Sequence, residues 1–168
     1  MTEIKSTLDL IMEKTRNLSM TAEEKEALRR KEWHGRIQGW LQRYLDGLMG
    51  TNSLKEAIQS VQEPDRSLCQ SLLRHEALLR LQPDGNNERL LQLLEDVLSN
   101  DTTPLTRAIA SFRKDMRRQA EEQIRKGLES LDQQGIRGSA VMPNLDRDPS
   151  WERWMDEARE GFRKAVSA

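Results

Sequence analysis

One cysteine, one tyrosine, two phenylalanines and five prolines are all that 168 residues hold of these types, and each scarcity closes off a class of protein. Cys69 stands alone, so neither an intrachain disulfide nor a cysteine-built zinc site can form. Nowhere does an apolar run approach the roughly 18 residues of a membrane span. The start, "MTEIKSTLDLIMEK", mixes both charges and lacks the basic opening and continuous apolar stretch of a signal peptide. A reducing cytoplasm is therefore the expected location, with no membrane contact. Valine, isoleucine and aromatics are sparse beside Leu, Glu, Arg and Gln, a balance that favours helix over strand.

What the chain does have is charge. Charged residues make up 33% of it, above the usual quarter or so. Even with glycine counted, the apolar share reaches only about 41%, against roughly 45–50% in ordinary globular chains. That combination predicts a thin core and long helices partly open to water. The net charge of −1 conceals segregation: residues 25–43 and 107–126 each carry +4, while residues 44–106 between them carry −5. Basic helices packed beside acidic ones would give the same alternation.

Helix boundaries are marked by caps. A first helix is expected over about residues 3–16, with Ile4, Leu8, Ile11 and Met12 on one face. Thr21 and Glu24 make a capping box that opens a long helix over about 22–49, stapled by Leu18 or Met20 and stopped by Gly50. Ser53 with Glu56 repeats the box for a short helix to about Gln62, and Pro64 sits as a first-turn residue for another through Leu81. After the turn "QPDGNN", Asn86 or Asn87 caps a helix through about Ser99. Thr103 and Pro104 begin a second long helix over about 104–134, whose apolar steps average about 3.7 residues and so argue against a sustained coiled coil. A non-helical strap over about 135–149 precedes a last helix capped by Ser150. The fold expected is a single all-α domain over 1–168, a bundle of six or seven helices.

The segment "KEWHGRIQGWLQRYLDGLMG" (31–50) raises the sharpest question, because each interior glycine costs a helix about 1 kcal/mol relative to alanine. On a helical wheel Trp33, Trp40 and Tyr44 share a broad apolar face, while Gly35 and Gly39 fall about 200° and 240° round from Trp33. Three readings compete: a second helix packed close on the glycine side, a kink near His34–Gly35, or a ligand or peptide laid against bare backbone. The first is favoured and makes this helix central to the bundle, or the place where another chain docks.

Catalytic signatures are missing. Both histidines, His34 and His75, fall on apolar arcs and are expected to be buried or half-buried, and neither sits in an E-x-x-H or H-E-x-x-H pattern. No G-x-S-x-G, Walker A or G-x-G-x-x-G occurs, and Cys69, between Leu68 and Gln70, is expected to be an inert buried thiol. The most charged stretch is "RKDMRRQAEEQIRK" (113–126), where Arg113 and Arg117, and Lys114 and Arg118, form like-charged ladders that cost helix stability. The acidic 44–106 block is the expected counterweight; otherwise these residues bind phosphate, joined by Arg29, Arg30 and Lys31 of the 25–36 face. In the strap, Arg137 beside glycines offers a second anion candidate.

These observations point to a non-enzymatic helical protein–protein interaction or scaffold module without cofactor or metal, self-associating or docking a protein partner. Its interface candidates are Trp33, Gly35, Gly39, Trp40, Tyr44, Trp151 and Trp154. The alternative is an RNA- or ribosome-associated helical protein using the basic faces at 25–36 and 113–126, disfavoured by the absence of a net basic charge and of aromatics among the arginines.

Overall fold

Helix α1 begins where the capping box predicts. The Thr21 side chain accepts from the Glu24 amide at 3.1 Å, and the Glu24 carboxylate takes the Thr21 amide at 2.8 Å. A computed structural model describes residues 21–167 as α1 (Ala22–Leu45), α2 (Thr51–Gln59), α3 (Asp65–Leu79), α4 (Glu88–Gln92), α5 (Thr103–Gln133) and α6 (Pro149–Ser167). Among the described residues there is no strand, and one 3-10 turn at Leu145–Arg147 leads into α6. The helix expected over 3–16 and the Leu18 or Met20 staple lie outside the described residues.

Several boundaries differ from their sequence signals, each for a visible reason. Helix α1 stops at Leu45 rather than 49, because Gly47 takes φ +79° and closes a Schellman motif. In it the Leu48 amide donates to the Arg43 carbonyl at 2.9 Å and the Gly47 amide to Tyr44 at 3.1 Å. Gly50 instead precedes α2, and the Ser53–Glu56 box does not form because α2 already starts at Thr51. The helix expected through Ser99 is α for one turn and then widens into a π turn over Leu93–Val97, ending where Ser99 adopts φ 54°. Asp101 rather than Thr103 takes the free amide at the start of α5, and Asp148 rather than Ser150 does so for α6. Of the two asparagines, Asn86 accepts the Glu88 amide, while Asn87 is turned inward.

Helices α1 and α3 form the main packed pair. Arg29 pairs with Asp65, His34 with Glu76 and Gln42 with Arg80, in the same order along both helices, so the two run parallel and α2 carries the chain back between them. Ile37, Leu41 and Tyr44 of α1 meet Cys69, Leu73 and Ala77 of α3, with Leu54, Leu93 and Leu94 completing the centre. Burying a side chain of this size stabilises by about 1.5–3 kcal/mol, and this is where the thin core is concentrated. Helices α5 and α6 form an antiparallel hairpin fixed by Phe112 against Phe162, edge to face at 6.1 Å. Of the 31 residues of α5 only Ile109 and Phe112 are buried. Its apolar stripe continues, but Met116, Ile124 and Leu131 are half-covered and Leu128 is exposed. The segment after α5 folds back along that helix instead of crossing the bundle. Pro143 lies on Gly127, where a Cβ would come within 2.7 Å of its ring.

The hairpin is tied to the rest of the chain at the turn over residues 82–87. The Asn87 side chain accepts the Gln82 amide at 3.0 Å and donates to the Gln82 carbonyl at 2.6 Å, closing the turn from inside. From α5, Arg113 donates to the carbonyls of Pro83 (3.1 Å) and Gly85 (2.7 Å). From α6, Arg159 reaches Asp84 at 2.6 Å. The hydrogen bond from Arg159 holds the Asp84 carboxyl below its ordinary value. A depressed carboxyl contributes stability above its unfolded pKa of about 3.9 and loses it as pH falls through the folded value. Asp84→Asn is therefore expected to lower the unfolding midpoint at neutral pH, with the gap to the parent protein closing as pH drops below the normal aspartate range. A gap that stays constant into acid is the contrary result.

A basic cleft and an open helix face

Four of the predicted cationic residues meet in one place. Arg113, Lys114, Arg117 and Arg118 line a cleft of about 830 Å³ between α5 and the segment from Gly85 to Leu91. The facing wall carries Asn86, Asn87 and Glu88, and Leu91, Ile109 and Ala110 add apolar lining. The acidic 44–106 block reaches them at longer range: among the described residues none of its carboxylates makes a direct ion pair with the four, but Glu88 faces them across the cleft and the Arg113 charge helps hold down the Asp84 carboxyl. Arg113 is held by backbone carbonyls, and Arg118 bridges Asp115 on its own helix at 3.2 Å. The reason is geometric. Carbonyls at helix ends and turns lack intrahelical partners, and the five-donor guanidinium fork fits them well. Arg89 likewise donates to the Leu45 carbonyl at the end of α1 (2.7 Å), and Arg66 closes α2 through the carbonyls of Val61 and Gln59.

The second basic face does not join the first. Arg29 is taken up by Asp65, and Arg30 and Lys31 are exposed on α1, which packs on α3 while α5 packs on α6. Arg137 is paired with Asp132 at the end of α5, away from the cleft.

On α1, Trp33 and Trp40 touch edge to face at 6.4 Å and remain half-exposed, with the Arg36 guanidinium 4.9 Å from the Trp33 ring. Trp151 and Trp154 stack at 5.4 Å and are also half-exposed. Tyr44 belongs to the core and leaves the interface set; among the described residues its hydroxyl has no hydrogen-bond partner, and Arg89 lies over its ring. The expected close helix contact on the glycine side is absent among the described residues. Gly35 and Gly39 are exposed in an unbroken helix, and a Cβ at either would meet nothing within 4 Å. Leu28 lies on the same face, 46% exposed.

The histidines part company. His34 is half-buried, its Nε2 at 2.7 Å from the buried carboxylate of Glu76, and no serine or cysteine is in hydrogen-bond reach of the ring among the described residues. His75, expected on a covered arc, is exposed. The covered face of α3 centres on Cys69, Leu73 and Glu76, whereas reading it from Leu68 and the exposed Leu79 rotated it toward His75. Glu76 shares that face with Asp65, and each carboxylate meets a partner on α1, His34 and Arg29 respectively. Asn87, Arg89 and Arg159 carried no periodic signal, because their partners are distant carbonyls and a turn carboxylate.

No group of three or more His, Cys, Asp or Glu side chains able to hold a metal occurs among the described residues, nor does any helix among them have the length and apolarity to cross a membrane. Burial, with the charge of Asp65 in second place, pushes the Cys69 thiol up to about 11. Since the thiolate is the reactive form, Cys69 is expected to resist thiol reagents at neutral pH in the folded protein and to react promptly on unfolding in denaturant. Equal rates in the two states would contradict the placement of this residue in the core.

No protein-family model matches the chain, and neither a curated protein nor a solved structure matches it significantly.

Proposed function

We propose that this chain is a non-enzymatic helical interaction module that pairs with a second copy of itself through the open face of α1. The observation that carries the reading is the uncovered stripe of Leu28, Gly35 and Gly39, on the side of α1 turned away from the Trp33–Trp40 pair. Two glycines four residues apart cost the helix about 1 kcal/mol each relative to alanine, and nothing among the described residues uses the space they leave. Close approach of another helix does use it, since absent side chains let two backbones pack tightly. A reducing cytoplasm suits the single buried thiol.

The double variant Gly35→Ala, Gly39→Ala separates folding from association. The monomer is expected to gain about 1 kcal/mol of stability per substitution, while self-association measured by sedimentation equilibrium weakens. A parent protein that stays monomeric at every concentration contradicts the reading. So does a variant that associates as well as the parent, or one that is less stable as a monomer.

A further inference from the structure

We infer that the cleft between α5 and the 85–91 segment docks an acidic, amphipathic helical segment of a partner protein. This face is separate from the one on α1, so the inference goes beyond the self-association reading. Like charges at i,i+4 destabilise a helix, and α5 carries two such pairs, Arg113 with Arg117 and Lys114 with Arg118, side by side on the cleft wall. Arg118 is partly compensated by Asp115, but among the described residues Lys114 and Arg117 have no ion-pair partner. Carboxylates spaced four apart on a docked helix match both pairs at once.

Two further features favour a bound segment over loose ion attraction. Arg113 is fixed by the Pro83 and Gly85 carbonyls, so part of the cationic wall is ordered before any ligand arrives. The cleft also holds Leu91, Ile109 and Ala110 among the charges, which gives the apolar side of a peptide helix a place to be buried. Nucleic acid fits less well. No aromatic side chain lines the cleft for a base to stack on.

The test uses the full chain and three fluorescein-labelled probes. These are a synthetic helix with Leu and Glu at i,i+4 spacing, the same helix with Gln for every Glu, and an oligouridine of equal length. The acidic helix is expected to bind, with affinity falling as salt rises, and the Gln helix at least tenfold more weakly. Lys114→Glu with Arg117→Glu, both exposed, should weaken binding at least tenfold while the unfolding midpoint rises, since each change turns a like-charged i,i+4 pair into an opposite-charged one. Ala110→Trp, which fills the cleft, should weaken it similarly. The inference is overturned if the acidic helix does not bind at low ionic strength, or if either variant binds it as the parent does. Tighter binding of oligouridine than of the acidic helix would make this a nucleic-acid face and overturn it equally. Self-association, read separately by sedimentation, leaves none of these outcomes ambiguous.

Discussion

Two arginines closing on one turn set the arrangement on which the rest depends. The turn over 82–87 sits where the α1–α4 part of the chain meets the α5–α6 hairpin, and it is gripped by Arg113 from one helix of that hairpin and Arg159 from the other. Hydrogen bonds from charged donors stabilise by about 1.5–3 kcal/mol when well shielded, and less here because these side chains are partly exposed. Their larger consequence is positional. The turn is one wall of the basic cleft, Arg113 is part of the other, and the bonds between them fix the gap across which Lys114, Arg117 and Arg118 are displayed.

Carbonyl capture by arginine recurs through the chain and resolves the charge segregation. Arg66 closes α2, Arg89 closes α1 and Arg113 closes the 82–87 turn, each on backbone oxygen rather than on a carboxylate. A highly charged chain with a thin core thus uses part of its cationic inventory to satisfy helix ends. The glycines sort by the same kind of accounting. Gly47 is needed for its positive φ and Gly127 for the contact with Pro143, whereas Gly35 and Gly39 meet no requirement among the described residues. That uncompensated cost is what directs attention to α1 as a docking face.

The helices themselves were legible. The capping box at Thr21, the proline after Thr103 and the alternation of apolar positions located both long helices to within a few residues. Where boundaries slipped, an equally good competitor stood close by: Gly47 ahead of Gly50, Asp148 two residues before Ser150. The grouping of Arg113, Lys114, Arg117 and Arg118 was also visible, since i,i+4 spacing puts them on one side of a helix. What faces them was not. Neither the cleft wall nor the pairing of Arg159 with Asp84, 75 residues apart, follows from local pattern. His75 shows the related limit on a short helix, where one wrongly chosen apolar anchor rotates the whole face.

The central claim is that the grip on the 82–87 turn orders the hairpin against the rest of the bundle. Native-state hydrogen exchange on the full chain carrying Arg113→Met and Arg159→Met tests it most directly. The account predicts faster exchange along the first half of α5 and along α6, with the amides of α1 and α3 keeping their protection. Protection unchanged throughout, or lost equally from all the helices, would contradict it.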